Sequence, residues 1–111
     1  MLPKNRRIPR ELFPSILKEG KRFNSPNLLL YCSPTSGESR FSFSISKKVS
    51  KGAVDRNKYR RRGYSVISKH LDNIKPGFLC FFAFKKGSGN ITSSVLEKEI
   101  FDLLKTSSVV I

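Results

Sequence analysis

Residues 40–62 constrain the fold more than any other part of the chain. After Arg40, apolar residues alternate strictly with serines: Phe41, Phe43 and Ile45 are each followed by a serine, at positions 42, 44 and 46. This alternation predicts a β-strand with one apolar face that packs under helices and one face of small hydroxyls. Small hydroxyls can approach a sugar-phosphate chain closely and donate hydrogen bonds to it. The basic turn and helix that follow predict a cationic surface of fixed geometry next to this strand.

Positive charge is concentrated in residues 47–62, which hold eight of the 22 Lys and Arg residues and a single acid, Asp55. The chain has a net charge of +14, of which residues 1–70 carry +13 and residues 71–111 only +1. Like charges this close destabilise a free helix, so an anionic partner is expected, and nucleic acid is the leading candidate. The first two-thirds of the chain should therefore build the binding face.

The rest of the pattern predicts one α+β domain over residues 1–111, with an irregular basic arm at residues 1–8. A first helix should follow Pro9 and stop at Gly20, and it either bends at Pro14 or begins near that proline. Residues 21–32 should be extended and broken near Pro26. The spacing predicts a second helix over residues 54–71, capped by Ser50 or Asp55.

The C-terminal third should supply a strand and a helix. Residues 78–84 are almost continuously apolar, which predicts a buried, central strand. A Gly/Ser loop should follow at residues 85–90. Ser94 and Glu97 have the spacing of a capping box and predict the start of a last helix. Its apolar stripe would be Leu96, Ile100, Leu103 and Leu104.

The residues offer no evident catalytic group. The single histidine, His70, falls on the apolar side of the second helix, and the acids are scattered without a paired or metal-binding spacing. Cys32 and Cys80 lie in strand-like runs and are expected to be buried, reduced thiols, with a disulfide or a metal pair as the alternatives. Neither a membrane span nor a signal peptide is expected, which fits the cytoplasm.

Three aromatic residues admit two interpretations. Phe13, Phe23 and Tyr31 could pack in the core, or they could line a groove in which unpaired bases stack. The sequence pattern alone leaves both open.

Residues 46–61 closely resemble the signature of the bacterial ribonuclease P protein subunit. The family carries a strand ending in Ser-Lys-Lys, then Ala-Val, one variable residue and Arg-Asn, followed two residues later by two basic residues. All of these occur here, from Ser46 to Arg61. Gly20 after the first helix and Leu30-Tyr31 in the next strand also stand where the family would place them.

The resemblance implies an α–βββ–α–β–α sandwich whose strand-helix-strand crossover is left-handed, against the usual rule. It implies partnership with the catalytic RNA of ribonuclease P and with precursor tRNA, without a small-molecule substrate. Magnesium-dependent hydrolysis would be performed by the RNA subunit, which would hold Mg²⁺ together with the substrate, and no protein side chain would be catalytic. The residues implied to face the catalytic RNA are Lys47, Lys48, Lys51, Arg56, Asn57, Lys58, Arg60, Arg61 and Arg62. A cleft for the 5′ leader would use Phe13, Leu17, Tyr31, Ser42 and Ser44, and Arg6, Arg7 and Arg10 would add basic contacts.

Some positions depart from the family pattern. Leu17 stands where an aromatic residue is common, and Gly63 and Tyr64 replace a hydrophobic and a basic residue. In a helix Gly63 should cost about 1 kcal/mol relative to alanine, and Pro14 is also unexpected. The alternatives to a ribonuclease P subunit are a ribosomal or other structural RNA-binding protein, a stand-alone nuclease and a DNA-binding module.

Overall fold

The computed structural model describes residues 2–85, 91–107 and 109, and these form a four-stranded sheet with three α-helices. The predicted loop at residues 85–90 lies outside the described residues, except for Lys85. The elements in chain order are α1 (Phe13–Glu19), β1 (Lys21–Asn24), β2 (Leu28–Pro34), β3 (Arg40–Ser44), α2 (Ala53–His70), β4 (Phe78–Phe84) and α3 (Ser93–Thr106). Short 3-10 turns occupy Lys4–Arg6, Arg10–Leu12 and Leu71–Asn73.

The sheet is mixed, with strand order β1-β2-β4-β3. β2 pairs antiparallel with both β1 and β4, whereas β3 and β4 are parallel neighbours. α2 therefore connects two adjacent parallel strands, as the resemblance implied. The α+β fold and the central position of β4 are confirmed. The left-handed sense of the crossover stays a prediction.

The main hydrophobic core lies between one face of the sheet and the helices α2 and α3. α3 contributes the predicted stripe of Leu96, Ile100, Leu103 and Leu104, all of them buried. Burial of each such side chain contributes about 1.5–3 kcal/mol. On the opposite face of the sheet, Ile16 of α1 packs with Ile8 and Leu79 in a second, smaller cluster. The second face is thus less thickly covered than the first.

Gly63 lets α2 approach the sheet closely. A Cβ atom at this position would lie 2.6 Å from two ring carbons of Phe43 on β3. That ring stacks on Phe82 with centroids 4.9 Å apart and meets Tyr64 edge-on at 5.1 Å. Gly63 and Tyr64, which depart from the family pattern, therefore form one packing arrangement with Phe43. The helix-propensity cost of the glycine is offset by this contact.

The first helix follows one of the two predicted alternatives. A 3-10 turn comes after Pro9, and the regular helix α1 begins at Phe13, so that Pro14 lies in its first turn. Proline is tolerated there because the first amide groups of a helix have no partner within it. Gly20 ends the helix as predicted.

The predicted helix caps are wrong. α2 starts after Gly52, and neither Ser50 nor Asp55 caps it. α3 is capped by Thr92, whose hydroxyl accepts a hydrogen bond from the backbone N–H three residues later at 3.3 Å, and not by Ser94. Both segments contain several residues that can cap a helix, and the backbone decides which of them precedes the first turn.

The N-terminal arm is more ordered than predicted. Leu2 and Ile8 are buried, and the backbone N–H of Ile8 donates to the carbonyl of Phe41 at 3.1 Å. Arg7 forms a single parallel bridge with Phe41. The buried residues Leu2 and Ile8 hold the arm against the edge strand β3. The basic composition of the arm did not indicate this contact.

Glu99 of α3 holds the turn between β1 and β2. Its carboxylate accepts hydrogen bonds from the Ser25 hydroxyl at 2.5 Å, and from the Asn27 backbone and side-chain amides at 2.8 and 2.6 Å. Burial by itself raises the pKa of Glu99, but the hydrogen bonds from Asn27 and Ser25 and the nearby Lys85 together lower it below its ordinary value. This buried acid is structural.

Candidate nucleic-acid interface

The basic surface is formed by the turn after β3 and the N-terminal half of α2. We use this name for the nine residues implied to face the catalytic RNA, namely Lys47, Lys48, Lys51, Arg56, Asn57, Lys58, Arg60, Arg61 and Arg62. Most of their side chains are exposed, and those of Arg56, Arg60 and Arg62 are half-buried. Further along the same helix, Tyr64, Val66 and Ile67 are buried in the core. Arg56 and Arg60 lie on the helical stripe that continues into Ile67, which accounts for their partial burial, whereas Lys58 and Arg61 point away from the core.

Arg56 connects the two parts of the basic surface. Its Nη1 atom donates hydrogen bonds to the carbonyl oxygens of Ser50 at 3.0 Å and Lys51 at 2.7 Å. Hydrogen bonds from a charged donor are stronger than neutral ones, so this contact fixes the lysine-bearing turn against α2. A guanidinium carries five N–H donors, and two bonds do not exhaust them. Arg56 is thus placed to position its neighbours as well as to bind an anion.

Two further arginines are held by neighbours on the same helix. The Nη1 atom of Arg60 donates to the Asn57 side-chain oxygen at 2.6 Å. The guanidinium of Arg62 lies 5.8 Å from the ring centroid of Tyr59, within the range of a cation–π contact. These contacts restrict the arginine side chains before any partner binds, which lowers the entropy cost of binding.

The aromatic surface lies on the other face of the sheet and consists of Phe13, Tyr31 and Phe81. The Phe81 ring stacks between the other two, at 5.2 Å from Phe13 and 5.9 Å from Tyr31. All three are half-buried and pack against the second, smaller cluster, whereas the equally half-buried Phe23 packs against the main core. Phe13 and Tyr31 thus share one face of the sheet, and Phe23 lies on the other. Each ring packs against a cluster and also keeps part of its area exposed.

The strand register extends the aromatic surface into a row across the sheet. Arg22, Tyr31, Phe81 and Ser42 are successive partners on β1, β2, β4 and β3, so their side chains share one face. Sequence reasoning missed Phe81 and Arg22. β4 is almost continuously apolar, so its sequence does not distinguish Phe81 from its neighbour Cys80, which faces the core. The row places an exposed arginine at one end of an aromatic platform.

The remaining members of the predicted cleft differ in accessibility. Leu17 is half-exposed on α1, and Ser44 is exposed on β3. Ser42 is buried, with 9% of its surface exposed, because it sits in the row beside the Phe81 ring. The predicted face of accessible hydroxyls is therefore wrong at Ser42. Ser44 lies in the adjacent row, opposite Ala83, where the neighbouring side chain is small.

The three N-terminal arginines have different surroundings. The Nε atom of Arg6 donates to the Ser39 carbonyl at 2.9 Å, and its Nη1 atom lies 3.5 Å from the Glu38 carboxylate. Arg6 is therefore mainly engaged within the protein. Arg10 is exposed, and Arg7 lines a cavity of about 560 Å³ between the arm and Tyr64. The same cavity is lined by Lys4, Arg10 and Arg40, of which Lys4 and Arg40 were not predicted as site residues.

The described part of the chain contains no group of three or more His, Cys, Asp or Glu residues arranged to hold a metal ion. His70 ends α2, where its Nε2 atom lies 3.4 Å from Glu97 and its ring contacts Phe101 at 5.2 Å. His70 therefore packs at the end of the helix, next to α3. No described helix is long and apolar enough to cross a membrane.

A family model described as Ribonuclease P matches residues 2–108. The chain belongs to the ribonuclease P protein family. It is 35% identical to the ribonuclease P protein component of Synechococcus elongatus over 98% of this chain and 95% of the relative. It is 33% identical to the corresponding component of Clostridioides difficile, over 87% of this chain and 86% of the relative. The resemblance seen in residues 46–61 thus extends over nearly the whole chain.

Solved structures agree on the fold. The ribonuclease P protein of Staphylococcus aureus superimposes with a TM-score of 0.86 at 22% identity, covering 96% of this chain and 98% of that one. The ribonuclease P protein of Thermotoga maritima gives a TM-score of 0.83 at 22% identity, with coverages of 90% and 96%. At these identities the likeness establishes the fold of the chain.

Proposed function

We propose that this chain is the protein subunit of a ribonuclease P ribonucleoprotein and assists removal of the 5′ leader from precursor tRNA. In this role the basic surface binds the catalytic RNA, and the aromatic surface binds the leader. The observation that carries the proposal is the family match over residues 2–108, and the basic and aromatic surfaces, which differ in chemistry, support it. The product would be tRNA with a mature 5′ end.

The chemistry of each surface suits its proposed ligand. The basic surface offers charge on a rigid helix, which matches the phosphates of a folded RNA but carries little base information. The aromatic surface offers stacked rings at the edge of a platform that ends in Arg22. Unpaired nucleotides can stack on such rings, and each stacked base contributes about 1–3 kcal/mol. A single-stranded leader fits the second surface better than a duplex does.

Magnesium fits this division of labour. Mg²⁺ prefers oxygen ligands, usually one or two carboxylates together with phosphates and water. Among residues 47–62 the only carboxylate is Asp55, and the described residues supply no acidic cluster elsewhere. The basic surface therefore offers at most one of the carboxylate ligands that magnesium uses. We propose that the RNA subunit and the substrate hold the ion, and that the protein contributes binding.

Reconstitution with a bacterial ribonuclease P RNA tests the proposal. At low magnesium concentration, addition of the chain should increase cleavage of precursor tRNA over that by RNA alone. The matched control is the same chain with Lys58→Glu and Arg61→Glu, which removes two exposed cations. No stimulation by the wild-type chain would refute the proposal.

The main alternative, a structural RNA-binding protein without a role in cleavage, predicts a different result. Such a protein would bind RNA with the same salt dependence but would not respond to the leader. Equal affinity for precursor tRNA and for mature tRNA in the presence of the RNA subunit would favour that alternative. Cleavage by the purified chain without RNA would instead indicate a stand-alone nuclease.

A further inference from the structure

The two cysteines lie directly opposite each other on the antiparallel strands β2 and β4. Two backbone hydrogen bonds at the two ends of the β2–β4 ladder show whether this pair is a hydrogen-bonded or a non-hydrogen-bonded one. The backbone N–H of Lys85 donates to Asn27 and that of Thr35 donates to Gly77, both at 2.9 Å. Hydrogen-bonded pairs recur at every second residue of an antiparallel ladder, which makes Cys32 and Cys80 a non-hydrogen-bonded pair. In such pairs the Cα atoms are about 4.5 Å apart and the side chains are closest.

The two thiols have different access to solvent. Cys80 is completely buried, whereas Cys32 keeps 8% of its surface exposed. Cys32 also lines a cavity of about 330 Å³ at the end of the main core, together with Lys21 and Phe78. A small reagent in this cavity would reach Cys32 first. Cys80 would be reached only through Cys32.

The two thiols also differ in pKa, and the more accessible thiol, Cys32, is the more acidic one. A hydrogen bond from Cys80 lowers the pKa of Cys32 despite its burial, and the positive charge of Lys21 lowers it further. The same hydrogen bond and complete burial raise the pKa of Cys80 well above its ordinary value. The thiolate is the nucleophile in thiol chemistry, so the accessible thiol is also the more reactive one.

We propose that Cys32 and Cys80 form a thiol-modification site that small disulfide compounds convert to a cross-strand disulfide. In the first step the Cys32 thiolate attacks one sulfur of the reagent, whose S–S bond breaks and releases a thiolate that takes up the proton lost by Cys32. In the second step Cys80 loses its proton and attacks the Cys32 sulfur, which releases the second reagent thiol. The protein dithiol is oxidised by two electrons, and the reagent disulfide is reduced to two thiols.

The strand spacing permits this bond. Disulfides accept Cα separations of about 4.4–6.8 Å, and a non-hydrogen-bonded antiparallel pair, at about 4.5 Å, falls inside this range. Added thiol can reverse the reaction, because thiol–disulfide exchange runs in both directions.

Treatment of the purified chain with 2-hydroxyethyl disulfide, followed by mass spectrometry, tests the proposal. The wild-type chain should lose both free thiols and form the Cys32–Cys80 disulfide without a lasting adduct, and dithiothreitol should restore the thiols. In Cys80→Ser the reagent should stay attached to Cys32. In Cys32→Ser the remaining thiol should react at least tenfold more slowly in the folded protein.

Two controls test whether the thiols react in the folded protein and not in unfolded chain. Circular dichroism and a urea unfolding curve should show that each variant is folded, and Cys80→Val offers an apolar replacement if serine is not tolerated in the core. Measurement of the wild-type rate at several low urea concentrations separates native reaction from reaction of unfolded chain. Equal rates for the two single variants, adducts on both cysteines without a disulfide, or a rate that follows unfolding would each overturn the proposal.

Discussion

The basic surface and the aromatic surface achieve rigidity by different means. On the basic surface, hydrogen bonds from Arg56 and Arg60 position side chains that remain largely in water. On the aromatic surface, Phe13 and Tyr31 are positioned by stacking on Phe81, which the sheet supports. The first surface should therefore respond to charge and salt, and the second to ring area. Under the proposed function, this difference predicts that affinity for the catalytic RNA and recognition of the leader can be changed separately.

The largest effect is expected from charge reversal on α2. Lys58→Glu with Arg61→Glu should weaken assembly with the catalytic RNA by about a hundredfold or more, because cations that meet phosphate are replaced by acids. Neutral replacements at the same positions should make the log–log salt slope less steep by about one per lost contact. Filter binding at several salt concentrations measures both quantities.

The control for this experiment has the same change in charge at another place. Lys98→Glu with Lys105→Glu alters two exposed lysines of α3. A similar loss of affinity in this control would mean that net charge alone governs binding, and the basic surface would lose its special role.

The second effect concerns the leader. Tyr31→Ala should weaken binding of precursor tRNA by about 5- to 150-fold, which corresponds to one stacked base at 1–3 kcal/mol. Binding of tRNA without a leader should not change. Titration of the assembled ribonucleoprotein with the two substrates measures the difference, and Phe23→Leu, on the core side of the sheet, is the control. An equal loss for both substrates would contradict the proposed division between the surfaces.

The sequence predicted the parts of each surface that depend on local spacing. The strand alternation of Phe41 and Phe43, the apolar stripe of α3 and the exposed charges of α2 all follow from periods of two or of three to four residues. Phe81 was missed because β4 is almost continuously apolar and its two faces look alike in sequence. Arg22 was missed because only the register with Tyr31 places it in the row.

Local sequence patterns also could not predict polar contacts between residues that are far apart in the chain. Glu99 binds Ser25 and Asn27, which are 74 and 72 residues away along the chain. In sequence it reads as one of several scattered acids on a helix. Its neighbour Glu97 instead faces α2, where it lies 3.9 Å from Lys69. Residues two apart on a helix do not share a face, but that spacing does not show which of the two acids is buried.

A third prediction tests the packing beneath the basic surface. Gly63→Ala should lower the free energy of unfolding by about 1–3 kcal/mol, because its Cβ would collide with the Phe43 ring. Urea unfolding measures the change. Phe43→Leu in the same chain should restore part of the loss, and Ser65→Ala, at an exposed position of α2, should be neutral or slightly stabilising. If Gly63→Ala stabilised the protein, helix propensity would outweigh the contact with β3.

The smallest effect on stability is expected at Glu99, which holds the turn between β1 and β2. Strand β1 carries Arg22, at the end of the aromatic row. The pKa of Glu99 is lowered in the folded protein, so its contribution to stability is fully present above its unfolded pKa, near 4.3. That contribution is lost as the pH falls through the lower folded pKa. Glu99→Gln should lower the free energy of unfolding at neutral pH by about 1 kcal/mol and flatten its decline on acidification. Urea unfolding between neutral pH and pH values below that of the folded carboxyl measures both, with the more exposed Glu97→Gln as control. Parallel pH profiles for Glu99→Gln and the wild type would mean that the hydrogen bonds to the turn do not stabilise the ionised form, and that packing alone holds β1 beside the aromatic surface.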